Sequence, residues 1–188
     1  FVDIDNDTFN ISTKSLENKL KKTPTSKLPK ILIVVHLSGH PANMSDIKKL
    51  SRKYKFKIIE DSSHAVGSTY FGNKIGNCKY SDLCIFSFHP VKIITTGEGG
   101  AILTNSKNLN EKIELLRSHG INRKVKSPSN PWKYDQVLLG YNYRMNELEA
   151  ALGISQLKKL NKFFIYRNKI ADFYKKNLNN NKIKIQKL

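Results

Sequence analysis

The sequence predicts an α/β fold, a mostly parallel sheet with flanking helices. Three features point to it. Strand, helix and strand recur with short connections between Ile31 and Glu60, the pattern of a βαβ unit. Ile31–Val35 is apolar at every position, as a parallel strand covered on both faces should be. A further apolar run, Leu83–Ser87, is followed by a turn-like segment and a returning run, Ala101–Thr104. That segment has no room for a crossover helix, so the returning strand should run antiparallel.

Taken in order, Phe1–Asp5 reads as a strand end. Leu16–Leu20 reads as a short helix, and Pro24 to Pro29 as a loop. After the strand Ile31–Val35, Asn43 caps a helix to Tyr54, with Asp46 three residues on and Ile47, Leu50 and Tyr54 on one face. Phe56–Glu60 is the next strand, and Tyr70–Lys74 a hairpin turning at Gly72-Asn73. Asn108 should cap a helix carrying Leu109, Ile113 and Leu116, which Gly120 stops. Residues 121–138 read as a polar loop with Pro128 and Pro131. From Asn146 a helix runs, in one piece or two, to about Leu178, with Glu147 and Glu149 in its first turn, where the helix dipole favours acids. A strand is expected to start at Lys182.

A length of 188 residues is enough for one domain with a real core. No apolar run approaches the length of a membrane span, and Phe1–Asp5 lacks the features of a signal peptide. The chain begins without methionine in a strand-like pattern, as though cut from something longer. Two cysteines, Cys78 and Cys84, do not make a disulfide scaffold or a metal quartet, and a cytoplasmic setting fits. His36 and His40 trail a strand rather than share a helix face, so no metal site is expected there. The net charge of +18 raises the question of nucleic acid. The lysines are scattered, without a dense tract or a nucleic-acid motif, so no such partner is expected; part of the charge can help capture an anionic substrate.

The stretch richest in chemistry is Phe86–Gly100. His89-Pro90 ends regular pairing, because proline has no N–H to give. Lys92 follows directly, under the glycine-rich turn Thr95–Gly100. A lysine just beyond a buried strand is partly shielded from water, and desolvation favours the neutral, nucleophilic amine that Schiff-base chemistry needs. In open α/β sheets ligands bind beyond the carboxyl ends of the strands. Asp61 stands at one such end, and Ser87 and Lys92 at another.

Phe86–Gly100 closely resembles the active-site lysine segment of the DegT/DnrJ/EryC1/StrS family of sugar aminotransferases. Ile59–Ala65 upstream resembles a second family segment, and Leu139–Asn146 with Ala150–Leu157 downstream a third. The resemblance covers nearly the whole chain. It implies part of the large domain of the fold-type I, aspartate aminotransferase-like fold over residues 1–145. Residues 146–188 would then be a long helix leading toward a small domain that is not present. It implies pyridoxal 5′-phosphate (PLP) as cofactor, with Lys92 as the Schiff-base lysine and proton carrier. It also implies Asp61 at the pyridine nitrogen, His64 near the ring and Ser87 on the phosphate. Asn142 is implied to reach the phosphate of a partner subunit, hence a homodimer with shared sites. The implied substrates are glutamate as amino donor and a 4-keto nucleotide sugar of the UDP-4-keto-6-deoxy-N-acetylhexosamine type. Arg144 reads either as an anion contact or as a surface salt bridge.

The family places a Ser-Gly-Thr phosphate cradle and an aromatic stacking residue ahead of the point where this sequence starts. Two other classes therefore stand beside the enzyme: a non-catalytic remnant or binding module that keeps the fold, and a basic nucleic-acid binder. With sheet neighbours missing, the chain is expected to be marginally stable, prone to aggregate and weak in binding PLP.

Overall fold

A computed structural model describes residues 1–122, 132–178 and 183–187. Helix α1 (Thr13–Lys22) is capped by Ser12, whose hydroxyl accepts the Ser15 N–H, and it buries Leu16 and Leu20. Strand β1 (Ile31–Val35) leads to α2 (Met44–Tyr54), where the Asn43 side chain accepts the Asp46 N–H as expected. Then come β2 (Lys57–Asp61), the small strands β3 (Thr69–Tyr70) and β4 (Asn73–Lys74), β5 (Leu83–Ser87) and β6 (Gly100–Leu103). Helix α3 (Lys107–Arg117) follows, then the paired β7 (Ile121–Asn122) and β8 (Asp135–Gln136), α4 (Glu147–Leu157) and α5 (Leu160–Asn177).

The main sheet has the order β1-β2-β5-β6. The first three strands are parallel and β6 is antiparallel, as the short β5–β6 connection requires. Register sets the two faces, because side chains alternate along a strand. Val34, Glu60 and Cys84 lie opposite one another on one face, and Val35, Asp61 and Ile85 on the other, with Ile102 beside Ile85. The first face is the core: Leu16 and Leu20 of α1 and Met44, Ile47 and Leu50 of α2 pack with Val34, Phe56 and Ile58. Each such side chain contributes about 1.5–3 kcal/mol by leaving water.

The second face departs from expectation. Ile31, Ile33 and Val35 are 53%, 61% and 43% exposed, and Ile102 is 49% exposed. β1 is thus covered on one face only, because α1 and α2 pack against the same side of it. Phe1–Asp5 is not a strand: only Ile4 bridges Ile11, since the Asp5 carboxylate accepts the N–H groups of Asp7 and Thr8 and turns the chain. The hairpin turns at Phe71-Gly72, not Gly72-Asn73, with φ of 46° and 74°, and Asn73 already pairs with Tyr70. Such a pair of positive φ values matches the twist of a two-residue hairpin.

The cap of α3 is Ser106, two residues before Asn108, because the Ser106 hydroxyl reaches the Leu109 N–H. The polar loop 121–138 contains the β7–β8 pairing; its residues 123–131, with Pro128 and Pro131, lie outside the described residues. The last helical stretch is two helices, the first opened by a capping box of Asn146 and Glu149. Lys182 lies outside the described residues, and 183–187 form no strand. That tail instead ties to the N-terminal turn, with Lys187 N–H donating to Asp7 O at 2.9 Å. No described helix is long and apolar enough to cross a membrane.

Two expected outcomes follow from this packing. Ile33→Lys places a charge on an open edge strand, where charge opposes pairing between chains. It should reduce self-association in light scattering, with stability changed by no more than about 0.5 kcal/mol. Cys84 is fully buried, and burial pushes its thiol up to about 12. An unfolded thiol ionises near its ordinary value of about 8.5. The unfolded chain therefore sheds this proton first, and the stability it contributes is lost as pH rises from there toward about 12. Urea midpoints above about pH 8.5 should fall less steeply in Cys84→Ala than in the parent.

Candidate active site

The carboxyl ends of β2 and β5 are neighbours, because Asp61 pairs with Ile85 in the parallel ladder. Ser87 lies two residues beyond Ile85, so Asp61 and Ser87 occupy the same face at the same edge. This is the exposed face, away from α1 and α2. Asp61 is half-buried, and its carboxylate accepts one hydrogen bond, from the Ser63 N–H at 3.1 Å. The Ser87 hydroxyl oxygen accepts the His89 N–H at 3.4 Å, which leaves the hydroxyl proton free to donate.

His64 follows on the loop after β2. Its Nδ1 accepts the Ser38 N–H at 3.3 Å, so the ring proton sits on Nε2. Ser38 holds a left-handed φ of 55° to make this contact. His36 and His40 do not converge: the Nδ1 of His36 accepts the Ala42 N–H, and its Nε2 faces Glu60.

Lys92 stands in the strap between β5 and β6. The strap is irregular, yet its backbone is well tied. Phe88 N–H donates to Gly99 O, Thr96 N–H to Phe88 O and Lys92 N–H to His89 O, at 2.9–3.0 Å. Thr95 Oγ1 also donates to Phe88 O at 2.8 Å. Ile94 is buried and anchors the strap from below. Lys92 itself is half-buried, as its place under the turn implied. Among the described residues its ammonium has neither a carboxylate within ion-pair distance nor a hydrogen-bond partner.

Asn142 is held by a different part of the chain. It pairs with Ser118 beside the end of α3, flanked by the stacked rings of Tyr141 and Tyr143, and it is exposed. Arg144 approaches Nε2 of His119 at 3.5 Å and has no carboxylate partner among the described residues.

Sequence reasoning passed over two features of the site. One is the contact of α4 with the strap: a Cβ on Gly153 would stand 2.8 Å from Thr96 Cγ2. The other is Glu60, a carboxylate on the core side of β2. Alternation along Ile58-Ile-Glu-Asp61 would have exposed the second, since Glu60 shares the face of the core residue Ile58.

A carboxylate and a hydroxyl at the carboxyl edge of a parallel sheet, with a lysine on the tied strap that follows, suit a cofactor-dependent transferase. The chain belongs to the DegT/DnrJ/EryC1/StrS aminotransferase family, which matches residues 1–187. It is 47% identical, over 96% of its length, to the UDP-4-amino-4,6-dideoxy-N-acetyl-β-L-altrosamine transaminase of Campylobacter jejuni. It is 38% identical, over 95% of its length, to the GDP-perosamine synthase of Escherichia coli. It spans 46% and 45% of those two proteins, less than half of each. Among solved structures it resembles Helicobacter pylori PseC, an aminotransferase involved in pseudaminic acid biosynthesis. There the TM-score is 0.85 at 35% identity, over 96% of this chain and 45% of that one. It also resembles the sugar aminotransferase Spr1654 of Streptococcus pneumoniae in its PLP form. That TM-score is 0.78 at 28% identity, over 93% of this chain and 46% of that one.

The family implies pyridoxal phosphate, and the donor set fits it: an acid for the ring nitrogen, a hydroxyl for the phosphate and an amine for the aldehyde carbon. The fit depends on where α4 holds the strap. Gly153→Ala should therefore destabilise the chain by about 1–3 kcal/mol through overpacking against Thr96, despite the better helix propensity of alanine. Ser155→Ala, exposed on the same helix, should be near neutral; urea unfolding of both variants is the check.

Proposed function

We propose that this chain carries the cofactor lysine and its acid in a PLP-dependent transaminase of nucleotide sugars. The observation that carries the reading is the placement of Asp61 and Ser87 on one face at adjacent strand ends, with Lys92 on the strap that leaves them. The names of the relatives support a sugar substrate, and the 47% relative supports a UDP-linked one. We take the acceptor to be a UDP-4-keto-6-deoxy-N-acetylhexosamine in pseudaminic acid biosynthesis, and the donor to be glutamate. The working enzyme is read as a cytoplasmic homodimer, with Asn142 turned to the partner's cofactor phosphate. Residues 1–145 serve as the cofactor-binding part, and 146–188 lead away from it.

Pyridoxal phosphate, when bound, supplies an electron sink for the carbon that bears the transferred amine. The chain's residues do the rest. Asp61 would keep a proton on the ring nitrogen, because a carboxylate beside a pyridinium favours its charged form. Ser87 would donate its hydroxyl proton to the phosphate. The Lys92 amine would hold the cofactor at its aldehyde carbon. Once free, that amine would carry the proton from the donor's α-carbon to the carbon that had been the aldehyde. The strap keeps it within reach, since a positioned base contributes about 10²–10⁴-fold.

Borohydride reduction of the PLP-treated chain, followed by peptide mapping, should place the label at Lys92 alone. Lys92→Arg should abolish the visible absorbance band, since guanidinium stays protonated. Label spread over many lysines would defeat the reading. In a complete parent enzyme, Asp61→Asn should leave the melting transition intact and reduce turnover by several orders of magnitude, each tenfold being about 1.4 kcal/mol. Near-normal turnover in that variant would remove Asp61 from the role.

A further inference from the structure

Directly behind Asp61, on the core side of the sheet, lies a buried polar chain that the proposed chemistry does not use. His36 is 0% exposed and Glu60 4% exposed. The His36 Nδ1 accepts the Ala42 N–H at 3.1 Å, so the ring proton is on Nε2, which donates to Glu60 Oε2 at 2.8 Å. The other carboxylate oxygen, Oε1, accepts the buried Ser81 hydroxyl. The His36 backbone N–H donates to Asp61 O at 3.1 Å. One residue on, Ser62 is pinned as well, its N–H on Ile85 O and its hydroxyl accepting the Cys84 thiol.

Polar groups buried in this way rarely add stability over an apolar core of the same volume, and what they offer instead is a single register. Here the benefit is concrete. A slip of one residue along β2 would exchange the faces of Glu60 and Asp61. An apolar residue at position 60 would tolerate small shifts, whereas a carboxylate held by donors from β1's end and from Ser81 would not. We propose that His36, Glu60 and Ser81 are positioning residues that pin β2 so that the Asp61 carboxylate faces the cofactor's ring nitrogen. The same histidine also orders the loop behind it: Ala42 is held by its Nδ1, and within that loop Ser38 holds the His64 ring. The inference rests on Asp61 having the role given above.

The test compares the parent with two variants. Glu60→Gln keeps both contacts, since the amide oxygen accepts from His36 and the amide nitrogen donates to Ser81 with its hydroxyl reversed. The triple variant His36→Leu/Glu60→Leu/Ser81→Ala removes the buried carboxylate together with both of its donors; of the contacts named above, the Ala42 N–H is the one that loses its acceptor, and a cooperative melt is still expected. Hydrogen exchange without cofactor is the first readout. In the triple variant the amides of Asp61–Ser63 should exchange at least about tenfold faster while those of Ile58 and Ile59 stay protected. The PLP dissociation constant, read from the visible band, should rise by at least about tenfold, with Glu60→Gln within about threefold of the parent. A triple variant with parent-like exchange at Asp61–Ser63 would overturn the proposal. So would a loss of protection spread evenly over the sheet. Should the triple variant fail to fold, Ser81→Ala alone must show the same local split, and uniform behaviour there overturns it too. A parent that binds no PLP while the exchange split appears would sink the cofactor reading and leave the pin standing.

Discussion

The alternation of side chains along β2 is the constraint on which the site depends. Within Ile58–Asp61, Ile58 and Glu60 point into the core and Ile59 and Asp61 point away. The parallel pairing with β1 and β5 locks that choice, because a shift by one residue would bury a carboxylate without partners and expose an isoleucine. The lock places an acid at the carboxyl edge of the sheet, where strand ends leave room for a ligand. Ser87 comes to the same edge by the same rule, from the neighbouring strand.

Lysine chemistry asks for something a strand cannot give. A side chain in the sheet is fixed in direction, whereas a lysine that carries protons must sit near the strand ends and keep some freedom. The strap after Ser87 resolves this. Its backbone is irregular but tied at Phe88, Thr96 and Gly99, and the Lys92 ammonium has no side-chain partner among the described residues. Gly153 of α4 comes close enough to Thr96 that no side chain fits between them. The position of the lysine is thus set partly by a helix far along the sequence.

The open face carries a cost as well as the site. Ile31, Ile33, Val35 and Ile102 keep apolar surface in water beside Asp61. An apolar exposed sheet face with an edge strand is an association hazard. The relatives are about twice as long as this chain, and its exposed face adjoins the strand at the sheet edge.

Much of this was legible in the residues. The three parallel strands and the returning fourth follow from apolar runs and from the length of the connection between Ser87 and Gly100, which is too short to cross over. Asp61, Ser87 and Lys92 could be named as candidates because strand ends are where ligands bind. Local signals failed where two similar residues competed. Ser106 rather than Asn108 caps α3, and Phe71-Gly72 rather than Gly72-Asn73 makes the turn, because the choice depends on which backbone group lies within reach. Other features belong to tertiary structure alone: the pairing of His36 with Glu60 and Ser81, the seat of Thr96 against Gly153, and the exposure of one side of β1. Each joins residues distant in sequence, or depends on which faces the helices cover. Periodicity along one strand gives the two faces but not which of them the helices will choose. The sequence determined which candidate residues stand at the strand ends; only the packing of the sheet decided that Asp61 faces outward and Glu60 stands buried behind it.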